Sequence, residues 1–101
     1  MTETRNAKIV STMLGIEDHG IMTCMLTLDY GGVTQGFGGY NLKYGPYGVK
    51  FLREILETVG VSEWEDLPGK HIRAVSNLSK VHCIGHITND QWFEPELLKD
   101  D

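Results

Sequence analysis

Two cysteines, three prolines and four serines are all of those types that 101 residues hold. Each scarcity removes a class of mechanism. Cys24 and Cys83 are not part of any C-x-x-C, so neither a zinc ribbon nor a dithiol redox motif is present. Two small buried thiols in a reducing compartment are the expectation for them. None of Ser11, Ser62, Ser76 and Ser79 lies in a G-x-S-x-G elbow. No apolar run approaches the ~20 residues of a membrane span. The opening MTETRNAK has no signal-peptide core. The expectation is a cytoplasmic chain with no membrane partner. Positive charge is also short: nine Lys and Arg stand against fourteen Asp and Glu, a net charge of −5. That argues against a protein that coats nucleic acid through a basic excess.

What is present is a chain of 41% hydrophobic residues, enough for one domain with one core. We place a single domain at 1–93 and an acidic, mobile tail at 94–101, EPELLKDD. AKIVSTML (7–14) reads as a strand, with Ile9, Ser11 and Met13 on one face and Val10, Thr12 and Leu14 on the other. GIEDHG is a turn. IMTCMLTLD (21–29) alternates, with Met22, Cys24, Leu26 and Leu28 apolar, as in a half-buried antiparallel strand. VTQGFGGY (33–40) is a third strand. YGVKFLREILETV (47–59) is the main helix, flanked by Pro46 and Gly60 and striped by Val49, Leu52, Leu56 and Val59, widened by Phe51 and Ile55. Ser62 and Glu65 have capping-box spacing. KHIRAVS (70–76) and KVHCIGHIT (80–88) form a hairpin, with Val81, Cys83, Gly85 and Ile87 on one side. Trp92 and Phe93 then plug the core. The predicted fold is α+β: an antiparallel sheet or half-barrel of about five strands, with one main helix packed across it, in the order β-β-β-α-β-β.

Half of the twelve glycines fall in residues 31–45, GGVTQGFGGYNLKYG. Period two puts Val33, Gln35 and Phe37 on one face of that strand. Thr34, Gly36, Gly38 and Tyr40 take the other, which is nearly bare in its middle. Glycine inside a strand marks a bulge, a bend or a close approach. The approaching group is either internal or a ligand. A dinucleotide loop is excluded, because the third glycine of G-x-G-x-x-G is missing and no helix opens there.

Four constellations bear on chemistry. His19, His71, His82, His86 and the two cysteines would be the soft metal ligands. His82 and His86, however, lie four residues apart in a strand, about 13 Å, too far for one ion. No metal and no cofactor are expected. Glu17, Asp18 and His19 share one loop, and loops carry function more often than cores do. Asp18 and His19 are therefore candidate site residues, although an Asx-type turn with solvated charges is the better explanation of them. Tyr40, Tyr44 and Lys43, with Phe37, Tyr47 and Lys50, cluster beside Gly36 and Gly38. Rings beside cations suit a nucleobase and its phosphates. Finally, Lys43, Lys50, Arg53, Lys70, Arg73 and Lys80 would supply a modest basic face or an ordinary solvated surface.

Three segments carry a resemblance: STMLGIEDHGIMTCMLTLDYGGVTQGFGGYNL, FLREILETVGVSEWEDLPGKHIRAV and IGHITNDQWFEP. Together they resemble a family of small uncharacterised proteins encoded by tailed bacteriophages and prophages, over roughly residues 8–95. The most characteristic pieces are Leu14-Gly15 through Glu17-Asp18-His19-Gly20, Gln35-Gly36-Phe37-Gly38, Leu67-Pro68-Gly69-Lys70 and Ile84-Gly85-His86. The family has no established activity, so no catalytic residue carries over. The resemblance implies an accessory role in the cytoplasm of an infected bacterium. The leading expectation is a non-catalytic binding protein acting on a host or phage macromolecule, for instance a host-defence inhibitor, and able to form a homodimer. The alternative is a nucleotide or nucleic-acid binder using Gly36, Gly38, Tyr40, Tyr44 and Lys43. A second alternative is a small hydrolase built on Asp18, His19 and His86. These make different demands. A nucleotide binder needs a pocket over Gly36 and Gly38 lined by Tyr40 or Tyr44. A binding module needs an exposed apolar patch or an unpaired sheet edge. A hydrolase needs Asp18 and a histidine within hydrogen-bond reach.

Overall fold

Strand β1 (Glu3–Ile16) is the longest element and the spine of the sheet. It pairs antiparallel with β2 (Met22–Asp29) over Lys8–Ile16 and with β4 (His71–Ser76) over Glu3–Lys8. β2 pairs with β3 (Thr34–Gly39), β4 with β5 (Val81–His86), and β5 with the two-residue β6 (Trp92–Phe93). The order across the sheet is β3-β2-β1-β4-β5-β6, all antiparallel, and one main helix, α1 (Gly45–Val59), packs on one face. The fold is α+β, with six strands where periodicity indicates about five; β6 is too short to show a period. This computed structural model describes residues 1–98, and residues 99–101 of the expected tail lie outside the described residues. Within that tail, Pro95–Leu97 make one 3₁₀ turn and Leu98 packs against the core.

Strand register corrects two sequence expectations. Val10 is an extra residue in β1, because the register with β2 shifts between Ile9 and Ser11. A bulge reverses the face of everything beyond it. Ala7 and Ile9 enter the core, but past the bulge Thr12, Leu14 and Ile16 share the core face opposite Leu26, Cys24 and Met22. The simple alternation expected over 7–14 is therefore broken at Val10. In β5, Ile84 lies opposite Ala74 and is fully buried, and Cys83 and Gly85 share the other face, parted from Val81, with which the period grouped them. A second irregularity, between Val75 and Ser76, lets Val81 be buried on the core side as well.

The helix forms where its spacing predicts. It ends at Gly60, whose φ of 91° is left-handed and whose N–H donates to the Leu56 carbonyl. Its buried line is Phe51, Ile55, Thr58 and Val59, with Gly48 against Leu42, while Val49 is exposed. The stripe is rotated from the Val49–Leu52–Leu56 line because Phe51 is the side chain that meets Phe37 of β3 and Phe93 of β6. Ser62 makes no side-chain cap. The short turn at Trp64–Asp66 instead starts after Glu63.

The sheet is open but curled, and polar side chains tie its β3 edge across to the β4–β5 turn at one end. Tyr30 Oη donates to Gln35 Oε1 at 2.7 Å, and Gln35 Nε2 donates to the Asn77 carbonyl at 2.8 Å, joining β3 to the β4–β5 turn. Arg5 stacks over the Tyr30 ring, 4.0 Å from its centroid. On the face away from the helix, Trp92 lies directly on Gly85, with Arg73 4.4 Å above the indole. Both cysteines are free thiols, and burial pushes Cys24 up to about 11.

Candidate functional site

The residue groups singled out in the sequence are redistributed: Gly36 and Gly38 line one cleft, while Tyr40 joins the Glu17–His19 loop. Gly36 and Gly38 lie on the face of β3 away from the helix, opposite Thr27 and Met25 of β2. The close approach they allow is internal. The Met25 thioether lies over Gly36, and the Cys24 carbonyl sits where a side chain at Gly38 would go. They also line a cleft of about 200 Å³ between the free edge of β3 and the start of β5, with Lys80, His82 and Glu96 on the far side. Lys80 pairs with Glu96 at 3.6 Å, and His82 Nε2 lies 3.1 Å from Asn77 Nδ2. Neither Tyr40 nor Tyr44 lines this cleft. Tyr44 and Lys43 are both exposed, the ammonium 5.9 Å from the ring. The aromatic platform expected over Gly36 and Gly38 is therefore not assembled.

Tyr40 turns instead to the tip of the β1–β2 hairpin, where the organising residue is Glu17. One carboxylate oxygen accepts from the backbone N–H of His19 at 2.6 Å and of Ile21 at 3.2 Å. The other accepts from His19 Nδ1 at 2.8 Å and from the Tyr40 hydroxyl at 3.0 Å. Glu17 thus gathers two candidate residues, His19 and Tyr40, that are 21 positions apart. Nothing local in GIEDHG sets Glu17 above Asp18 and His19. Its partner is 23 residues away, and only the E-x-H spacing hinted at a local pair. Asp18 is exposed at the turn, and His19 bonds to Glu17 and not to it. His86 is also committed: its Nδ1 accepts from the amides of Thr88 and Asn89 at 3.1 and 3.0 Å, shaping a turn.

Partial desolvation pushes the Glu17 carboxyl upward. The hydrogen bonds from the His19 ring, the Ile21 amide, the Tyr40 hydroxyl and the His19 amide outweigh it and hold the group below the ordinary 4.5. Because the folded value is depressed, the loop's stabilisation is present above the unfolded value. It is lost as pH falls through the folded one. The amides of His19 and Ile21 are expected to titrate together in NMR spectra, with a midpoint below 4.5. Glu17→Gln should abolish that titration. A midpoint at or above the ordinary value would show that the hydrogen bonds are not formed in solution.

The same hairpin exposes apolar side chains on its core-bearing face. Past the end of the core, Leu14 and Met22 are each 42% exposed and Ile16 is 72% exposed. Tyr40 and Tyr44 are also largely exposed. The result is an apolar strip with a tyrosine and a hydrogen-bonded carboxylate at its rim. The two arginines of the expected basic face do not lie together. Arg53 pairs with Glu57 on the helix, while Arg73 is on the opposite face of the sheet, donating to the carbonyls of His86 and Asn89.

Among the described residues no three His, Cys, Asp or Glu side chains gather to hold a metal ion, and no helix is long and apolar enough to cross a membrane. No family model, no curated protein and no solved structure matches the chain.

Proposed function

We propose that this chain is a small non-catalytic binding protein that docks a host or phage macromolecule on the face of the β1–β2 hairpin. The observation that carries this reading is the placement of Leu14, Ile16 and Met22. Register puts them on the same face as the core residues Cys24, Leu26 and Leu28, yet they lie beyond the core and remain exposed. Burying such side chains is worth roughly 1.5–3 kcal/mol each, so a partner that covers them gains affinity without a preformed pocket. The Glu17–His19–Tyr40 group at the rim supplies orientation. The phage setting, and with it the bacterial cytoplasm, comes from the resemblance of the three segments quoted above.

The test is affinity capture from bacterial lysate with the full chain and with Met22→Asp, followed by mass spectrometry. A partner retained in fixed ratio by the parent and lost with Met22→Asp is the expected result. Identical capture profiles for the two proteins would overturn the assignment to this face.

The nucleotide reading retains one specific observation, the cleft that joins Gly36 and Gly38 to Lys80 and His82. Native mass spectrometry of gently purified protein tests it. A nucleotide-sized mass lost on denaturation would favour the cleft over the hairpin face.

A further inference from the structure

The docking face above is a matter of side chains; the edge of the same hairpin is a matter of backbone. β4 covers the outer edge of β1 only as far as Lys8. Ile9 is the last residue held there, accepting from the Gly69 amide at 2.7 Å and donating to the Lys70 carbonyl at 2.8 Å. From Ser11 to Ile16 no element pairs with that edge among the described residues. An exposed edge invites strand addition, and proteins normally blunt one with lysine, proline, a bulge or a short strand. The one such device on this edge is the bulge at Val10, which precedes the open stretch Ser11–Ile16. Residues 9–16, IVSTMLGI, contain no charge and no proline. Val10, Met13, Leu14 and Ile16 on it are all exposed. The free edge of β3 is different, because the Gln35 bridge to Asn77 crosses it.

We infer that this edge pairs antiparallel with the same edge of a second copy, extending the six strands into one continuous sheet across a two-fold axis. Centred on Leu14, the pairing sets Leu14 against its own mate and Thr12 against Ile16 on the core-side face. Met13 lies against Gly15 on the other. The Leu14 and Thr12–Ile16 pairs are apolar or β-branched neighbours of the kind that stabilise adjacent strands. The pattern is self-complementary, as a two-fold contact requires. Charge adds direction. The turn of one copy, carrying Glu17 and Asp18, arrives where the other copy's outer edge becomes occupied, beside Lys70 and Lys8. Acid therefore meets base at both ends of an uncharged strand pair. A foreign strand would have to supply that pattern, whereas a second copy already carries it. The dimer also sets the two hairpins side by side, joining their Leu14, Ile16 and Met22 faces. The inference does not depend on the docking reading.

Light scattering after size exclusion, with native mass spectrometry, decides the matter. The parent should run at twice 11.3 kDa. Leu14→Lys places like charges directly opposite across the axis and should give a monomer with an unchanged circular dichroism spectrum. Lys70→Glu should weaken the dimer roughly tenfold, since the contact occurs twice, and Asp18→Lys in the same chain should restore it. A parent that stays monomeric through the micromolar range overturns the inference. So does a dimer indifferent to Leu14→Lys. If Leu14→Lys fails to fold, the Lys70→Glu and Asp18→Lys pair decides by loss and rescue. A monomer whose partner capture is still lost with Met22→Asp would sink the edge pairing alone. A dimer with identical capture by parent and Met22→Asp would sink the docking face alone.

Discussion

Phe51→Ala is expected to destabilise the domain by about 3–5 kcal/mol, a large share of the 5–15 kcal/mol that holds a typical domain folded. Phe51 is 1% exposed and joins the helix to both ends of the curled sheet. Its ring stacks on Phe37 at 5.9 Å between centroids, meets Phe93 edge-on at 5.0 Å and touches Tyr47 at 6.3 Å. Truncation leaves a cavity among three rings that are themselves anchored in β3, β6 and the first turn of the helix, so collapse around it is limited. A fall in melting temperature on the order of 20 °C follows from the size of the domain. Phe51→Leu keeps most of the volume and should lose less than half as much. Chemical denaturation checks both values. A loss below about 1 kcal/mol for the alanine variant would mean that the helix is not seated on the sheet as described.

Gly38→Ala should be almost as damaging, and Gly36→Ala should not. Both glycines face the same way in one strand. Gly38 has a φ of 116°, where a side chain is strained, and an added Cβ would collide with the Cys24 carbonyl, part of the β2 backbone. Relief requires β3 to move off β2. The combined strain and overpacking point to a loss of roughly 2–4 kcal/mol. At Gly36 the φ is ordinary, and the group in the way is the Met25 thioether, which can swing aside. A loss under about 1 kcal/mol is expected there. Equal losses at the two positions would refute this division of roles. The pair also separates structure from ligand binding. If the cleft beside β3 holds a ligand, Gly36→Ala should weaken that binding while leaving the fold intact.

Much of the architecture was legible before any coordinates. β2 shows its two faces in IMTCMLTLD, and β3 shows its own in VTQGFGGY, because side chains alternate strictly along a strand. The helix is bounded by Pro46 and Gly60, whose backbone preferences act locally. One sheet with a helix was also within reach of composition and period. Local signals of this kind depend only on neighbours in the chain.

Tertiary structure decided the rest. The bulge at Val10 has no marker in IVSTMLGI, yet it moves Leu14 and Ile16 onto the core-bearing face. The helix turns Phe51 inward and Val49 outward because two other aromatic rings await it, and its own pattern allowed either line. Glu17 becomes the hub of the hairpin tip only when β3 delivers Tyr40 to it. The edge of β1 is free only because β4 ends its pairing at Lys8 while β1 runs on to Ile16. Sequence period sets which residues share a face of one strand. Which neighbour lies alongside, and where that neighbour stops, is set by the packing of segments distant in the chain.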